Sequence, residues 1–480
     1  MGKLWDFEGF GDAPAVIADT GATLTYRDLA ALSDRIAEAM DACAGWQEGT
    51  PLAMFVCRNT PGAIAGYAAL MNGGTPVMPV SAEIPAGMRR DVMNAYRPGL
   101  VLLPEEMRGE YPAMRKVADI RDYVLLKTNY MERFPVHPQL GLMITTSGST
   151  GSARFVRQSW DNLCRNAETI AGCLGIRASD RTITALPLQY TYGLSILHAS
   201  FLRGAAMVAT RTGVMDGEFW DLVEAEEVTC FHGVPNTYET LCRIGLFEDD
   251  FPAMRTMSQA GGKLSRELQE YYGRYAERTG KRFMIMYGLS EATAAVSWLP
   301  AEDILRKPES VGRVIPGGSV TLEDEAGRPV TGARTRGEIV YRGPNVAMGY
   351  ARRGEDLALG DEWDGKLKTG DLGAFDEDGY LTITGRLKRT IKMAGHRISL
   401  DEIDGMIMDE LNIPSASVGT DDRLMIFVTE KGEEGPVTAL ISGRVPAVRS
   451  GFRVTTIPAF PKNEGGKILY AELQKRAESD

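Results

Sequence analysis

The 480-residue chain has no CxxC pair among its six cysteines, Cys43, Cys57, Cys164, Cys173, Cys230 and Cys242. Scattered single thiols exclude a disulfide framework and read as small core residues kept reduced. No apolar run nears the length needed to span a bilayer. The opening residues, MGKLWDFEGFGD, have no basic stretch followed by an apolar one, so no signal peptide is expected. Asp6 stands where a myristoylation site wants Ser or Thr. A soluble, cytoplasmic protein is the expectation. Positive charge is in deficit: 53 Lys and Arg against 64 Asp and Glu leave a net charge of −11. That disfavours nucleic acid or an anionic membrane as the main partner. The Walker pattern GxxxxGK[ST] is absent, as are internal repeats and low-complexity tracts.

What is present is enough to bury large cores. Hydrophobic residues make up 44% of the chain and charged residues 24%, and the length is roughly three domains' worth. From about 25 to 290, short apolar runs at 52–56, 75–78, 101–103, 182–186, 206–209 and 283–286 alternate with helical stretches. In one of these, Leu29, Leu32, Ile36 and Met40 keep helical spacing behind Thr25 as N-cap. Such alternation predicts largely parallel sheets covered on both faces. From about 310 the pattern turns to half-buried strands at 319–322, 337–341 and 380–383, punctuated by Asp-Gly and Gly-Gly. An amphipathic helix (Leu400, Ile403, Ile407, Leu411) and a strand at 424–428 follow. The expected fold is α/β. A large N-terminal domain of parallel α/β sheets with a β-rich subdomain spans 1–387, and a small α+β C-terminal domain spans 388–480.

The stretch TTSGSTGSAR, residues 145–154, follows the apolar Leu142-Met143-Ile144. Its glycines let the backbone approach a ligand, and successive N–H groups form an anion-binding concavity. Hydroxyls of Ser147, Ser149, Thr150 and Ser152 and the Arg154 cation add to it. The same composition suits a flexible linker, so the loop alone leaves phosphate binding and a plain connection both open. Tyr287-Gly288-Leu289-Ser290-Glu291 directly follows an apolar strand, where parallel α/β sheets collect ligands. A ring, a hydroxyl and a carboxylate there could stack a base, touch a phosphate and hold Mg²⁺. A solvated strand-end turn has the same residues. Thr369-Gly370-Asp371 alone is a turn tripeptide, and PKNEGGK at 461–467 alone is a tail lysine behind a Gly-Gly.

Taken in order, these stretches resemble the adenylate-forming (AMP-binding) superfamily, which comprises acyl-CoA synthetases, peptide-synthetase adenylation domains and luciferases. The resemblance runs from about Leu24 to Leu473. TSGSTGSAR is similar to TSGTTGxPK, and LPL through Tyr192-Gly193 to LPLFHxxG. AGGKL at 260–264 is similar to GGAPL, YGLSE to YGxTE, and GEI through Gly349-Tyr350 to GELxxxGxxxxxGY. TGD is shared. GRLKRTIKMAGHRISLDEID is similar to GRxDxxIKxxGxRIxxxEIE, and PKNEGGK to PKTxxGK. Departures include Ala153 for Pro, Arg154 for Lys and Asn463 for Thr.

The resemblance implies a two-step ligase. A carboxylate attacks the α-phosphate of Mg·ATP to give acyl-adenylate and pyrophosphate, and a thiol then displaces AMP. It implies a small C-terminal domain that rotates between the steps about a hinge at Lys388. It places Thr146, Ser147, Gly148, Ser149, Thr150, Gly151 and Arg154 around the β- and γ-phosphates, and Gly261 and Gly262 beside adenine. Tyr287 and Gly288 would lie against the base, Ser290 on a phosphate oxygen and Glu291 on Mg²⁺. Asp371 and Arg386 would hold the ribose, and Lys467 would bridge the carboxylate and the α-phosphate. The catalytic set is thus Lys467, Ser290 and Glu291.

Adenylation domains for α-amino acids place an Asp near the LPL stretch, but Gln189-Tyr190-Thr191-Tyr192-Gly193-Leu194 has no acid to pair an ammonium. The expected substrate is therefore a small non-amino carboxylic acid, with Tyr190, Tyr192 and His232 lining its pocket. His198 reads as a core residue. The expected acceptor is coenzyme A. The alternative is the phosphopantetheine of a carrier protein, loaded by a stand-alone adenylation enzyme.

Overall fold

The computed structural model describes residues 4–42, 50–145, 154–248, 250–393, 396–420, 423–445, 451–463 and 466–479. The chain forms two compact units. One holds Met1–Ser319 with Arg342–Leu367, and the other holds Val320–Tyr341 with Lys368–Asp480.

The first unit contains two sheets. In one, Arg282–Leu289, Thr256–Gln259, Cys230–Gly233, Arg181–Ile183, Ala206–Ala209 and Pro14–Ala18 run parallel. Ala294–Leu299 is antiparallel to Arg282–Leu289, and Thr23–Thr25 is antiparallel to Pro14–Ala18. In the other, Leu140–Thr145, Val77–Ser81, Ala53–Cys57 and Leu100–Pro104 are parallel. Phe155–Ser159 pairs antiparallel with Leu140–Thr145, and Gly349–Ala351 with Phe155–Ser159. The helix expected behind Thr25 spans Tyr26–Asp41 and buries Leu29, Leu32 and Ile36. Thr25 and Asp28 close a capping box at its start, where one such cap contributes about 1 kcal/mol. The run expected as a strand at 182–186 leaves the sheet after Ile183. Asn59 Nδ2 takes the freed carbonyls of Thr184 and Leu186 at 3.0 and 3.1 Å.

The strand Phe155–Ser159 carries a charge into the core. Arg157 is fully buried. Its guanidinium donates to the carbonyls of Tyr350, Met348, Leu359 and Gly360 and pairs with Glu362. That network fixes the backbone on both sides of Tyr350.

The second unit contains the strand Leu381–Arg386 and, apart from residues at their ends, the strands Ser319–Glu323, Gly337–Arg342 and Lys366–Phe375. It also contains a three-stranded sheet of Ser415–Thr420, Arg423–Val428 and Phe452–Thr456. The helix Leu400–Leu411 buries Leu400, Ile403 and Ile407, as its spacing predicts. The boundary expected at Lys388 falls inside this unit. Around it, Asp401 accepts from the Arg386 N–H at 2.9 Å and pairs with Arg389. Arg389 also meets Asp404 at 2.7 Å and lies 3.6 Å over the Tyr470 ring. The architecture is the α/β class expected, with a β-rich group and an α+β C-terminal part in one compact unit.

Candidate functional site

Carboxyl ends of parallel strands are where such sheets gather ligands. The strand Arg282–Leu289 ends there in Tyr287-Gly288, and a tight turn over Ser290–Ala292 returns the chain as Ala294–Leu299. The pairing register shifts between Tyr287 and Gly288. At Gly288 the crossing backbone is so close that a Cβ would lie 1.4 Å from the Ala294 carbonyl oxygen. Only glycine fits, and the turn that follows presents Ser290 and Glu291.

Both side chains are held. Ser290 Oγ lies 2.6 Å from Thr191 Oγ1, at the start of the helix Thr191–Leu202. Gln158 Nε2 donates to the Ser290 carbonyl at 2.8 Å. Tyr350 OH donates to Glu291 Oε1 at 2.8 Å, and the Glu291 carbonyl accepts from Ala347 N–H at 2.9 Å. Buried Asn345 ties the turn down by donating to the carbonyls of Ala292 and Ala295, both at 2.7 Å. Arg154 stacks on the Tyr350 ring, its guanidinium carbon 4.1 Å from the centroid. An anion and a cation, 137 positions apart in sequence, are thus brought to one aromatic ring.

Residues Thr146, Ser147, Gly148, Ser149, Thr150 and Gly151 lie outside the described residues. Gly261 and Gly262 follow the strand Thr256–Gln259; Gly261 has φ +89°, and Gln259 Nε2 donates to the Gly262 carbonyl at 2.9 Å. Tyr287 is half-buried on its strand.

Tyr192 and His232 meet through Ser258. Tyr192 OH lies 2.7 Å and His232 Nδ1 2.6 Å from Ser258 Oγ. His232 is fully buried, and its Nε2 has no hydrogen-bond partner among the described residues. Tyr190 is half-buried just ahead of the helix Thr191–Leu202. His198 is a core residue, as expected. It stacks on Tyr67, whose OH lies 2.7 Å from His198 Nε2, and Trp5 packs edge-on against it.

Burial pushes His198 and His232 down to about 3. Both are neutral in the folded chain above that pH, whereas unfolded histidine takes a proton below about pH 6.5. The unfolded state therefore binds more protons between about pH 6.5 and about pH 3, and stability falls as pH falls through that window. At about pH 5 each histidine costs about 2 kcal/mol. Urea denaturation at about pH 7.5 and about pH 5 checks this; equal midpoints would contradict it.

In the second unit, Asp371 and Arg386 are cross-strand neighbours, with Arg386 Nε 2.8 Å from Asp371 Oδ1. Asp371 is buried, and its N–H donates to Thr369 Oγ1 at 3.0 Å. Lys467 is exposed on a turn closed by Asn463. Lys467 N–H donates to Asn463 Oδ1 at 2.9 Å, and Asn463 N–H donates to the Lys467 carbonyl at 2.9 Å. Lys388 follows Arg386 by two residues, and its side chain lies outside the described residues.

Sequence reasoning missed Tyr350, Gln158, Thr191, Asn345 and Asn463. The Gly349-Tyr350 and Asn463 positions were visible as motif members without a role. The others carry no local signal.

Among the described residues, no helix is long and apolar enough to cross a membrane. The family model described as "AMP-binding enzyme" matches residues 5–351. An oxalate–CoA ligase of Arabidopsis thaliana is 28% identical over 69% of this chain and 66% of that protein, just under two thirds of its length. An indoleacetate–CoA ligase of Aromatoleum aromaticum is 26% identical over 94% of this chain and 93% of its own. Among solved structures, ATP-bound MatB from Rhodopseudomonas palustris covers 99% of both chains with a TM-score of 0.79 at 23% identity. An o-succinylbenzoate CoA synthetase from Bacillus subtilis, in complex with its acyl-adenylate, covers 99% of this chain and 98% of its own, with a TM-score of 0.79 at 21% identity.

Proposed function

The chain belongs to the AMP-binding enzyme family, and from that premise we propose that it is an AMP-forming acid–thiol ligase. It activates a carboxylic acid with ATP as acyl-adenylate, releases pyrophosphate, and passes the acyl group to the thiol of coenzyme A. The observation that carries this reading is the cluster of Ser290, Glu291, Arg154 and Tyr350 at a strand's carboxyl end. A hydroxyl, a carboxylate and a guanidinium held there suit a polyphosphate and its counter-ion.

Mg²⁺ arrives with the nucleotide in this reading. Among the described residues no three His, Cys, Asp or Glu gather as a metal cage. A single oriented carboxylate fits Mg²⁺, which is usually held by one or two carboxylates, water and substrate phosphates. Glu291 would hold it, and the ion would neutralise phosphate charge. Ser290 and Arg154 orient the phosphates, with Thr146 to Gly151 as the cradle. Tyr287, Gly288, Gly261 and Gly262 take the adenine side, and Asp371 and Arg386 the ribose. Lys467 meets the reacting carboxylate and the α-phosphate. The division into 1–387 and 388–480, with Lys388 as hinge, is part of the same proposal.

The acid is a non-amino one, since 189–194 has no carboxylate for an ammonium. Tyr190, Tyr192 and a neutral His232 would line its pocket. Coenzyme A is favoured as acceptor because the aligned relatives are CoA ligases; loading of a carrier protein is the other outcome of the test. Pyrophosphate release is measured across a panel of aliphatic, aryl and amino acids, with and without coenzyme A. Turnover that rises with coenzyme A and gives an acyl thioester is the expected result. Stoichiometric release indifferent to coenzyme A points to a carrier. No release with any acid overturns the reading.

A further inference from the structure

Tyr350 belongs to a motif that the proposed reaction leaves without a task. Its strand, Gly349–Ala351, pairs with Phe155–Ser159, the strand that opens one residue after Arg154. Its carbonyl is held by Arg157 Nε at 3.2 Å. Its ring meets Trp363 edge-on, centroids 4.9 Å apart at 86°. The side chain is therefore fixed from the backbone and from one ring edge. In that orientation it offers two different surfaces to two opposite charges. The OH donates to one oxygen of Glu291, and the ring lies beneath Arg154.

A carboxylate and a guanidinium this close to a common neighbour have a competing option, which is to pair directly, fork to fork. A direct pair would occupy the donors and acceptors that a polyphosphate and its metal need. A phenol separates the two. A hydroxyl bond to a carboxylate is strong, but it occupies only one acceptor oxygen. A ring face attracts a guanidinium while leaving its in-plane N–H donors unused.

We propose that Tyr350 is a positioning residue of adenylate formation, which orients Glu291 through its OH and Arg154 through its ring so that both charges stay available to Mg·ATP. This rests on the roles proposed above for Glu291 and Arg154.

The test uses the full-length chain and needs no turnover. ATP affinity is measured by calorimetry across a Mg²⁺ series without acid substrate, together with thermal melts. Tyr350→Phe keeps the ring and removes the OH. It is expected to raise the Mg²⁺ concentration for half-maximal ATP tightening by about tenfold, the size of one lost charge-assisted bond, with an unchanged melt. Tyr350→Leu is expected to weaken ATP binding without Mg²⁺ as well, since Arg154 loses its platform. A Tyr350→Phe protein with wild-type Mg²⁺ dependence overturns the inference, whether or not its melt shifts. Glu291→Gln separates the two readings. If it shifts the Mg²⁺ dependence and Tyr350→Phe does not, only the positioning role fails. If Glu291→Gln leaves the dependence unchanged, the metal role of Glu291 fails and the positioning role with it.

Discussion

Lys467→Ala is expected to lower acid-dependent acyl-adenylate formation by about 10³-fold, the scale of losing one preorganised charge stabiliser, while sparing thioester formation from synthetic acyl-adenylate. The carboxylate and the α-phosphate are both anions. At about 4 Å and an effective dielectric near 20, each unit pair of charges repels by about 4 kcal/mol. A lysine between them offsets that repulsion and holds the reacting atoms in line. In the thiol step the nucleophile attacks the acyl carbon of an adenylate already formed, and AMP leaves, so no carboxylate has to be brought against the α-phosphate and the lysine's assigned task is over. The local structure suits the role. The turn is closed by Asn463 through both its backbone and its side chain, and the lysine is exposed. Pyrophosphate release and consumption of synthetic acyl-adenylate are followed separately in the same preparation. Equal loss in both half-reactions would remove Lys467 from its assigned step.

Gly288→Ala is expected to destabilise the first unit by about 4 kcal/mol, at the severe end for a single substitution, and to abolish ATP binding. The cause is steric: a methyl group would sit 1.4 Å from the Ala294 carbonyl oxygen. The obstacle is backbone from the partner strand, so no rotamer change relieves it. Either the pairing of Arg282–Leu289 with Ala294–Leu299 opens or the turn at Ser290–Ala292 moves, and either displaces Glu291 from Tyr350. Gly217→Ala is the contrast. That glycine begins the helix Gly217–Ala225, and a Cβ there meets nothing within 4 Å. It is expected to be neutral or slightly stabilising. Urea melts and ATP titration of both variants check the pair. Wild-type ATP affinity in Gly288→Ala would contradict the account.

The parts of the fold legible in sequence are those governed by local pattern. Leu29, Leu32 and Ile36 face the core because their spacing matches a helical turn, and Thr25 caps because a hydroxyl there can reach Asp28 N–H. The runs at 206–209 and 283–286 are strands because nothing polar interrupts them. Where a long-range partner decides, local pattern is silent. Thr184 and Leu186 look like strand, yet Asn59, 125 and 127 positions away, captures their carbonyls. Arg157 stands between Phe155-Val156 and Gln158-Ser159 and gives no hint that its partners lie beyond residue 340. The expected division at 388 rests on the short basic stretch Leu387-Lys388-Arg389 and not on periodicity, while the compact units follow long-range contacts. The site shows the same split. Ser290, Glu291 and Arg154 are legible as a hydroxyl, a carboxylate and a guanidinium, but Tyr350 as the common neighbour of Glu291 and Arg154 is a product of tertiary pairing.

Arg157 also bears on how such a chain can change over generations. Losing the arginine alone removes the donor from four backbone carbonyls, that of buried Met348 among them, and losing Glu362 alone leaves a wholly buried cation without its anion. Both single steps are costly. Lysine is no intermediate, because one ammonium cannot reproduce a five-donor fork. The strand Phe155–Ser159 and the segment from Met348 to Glu362 therefore form one heritable block. Descendants keep both halves, or exchange both together for an apolar filling of the same volume.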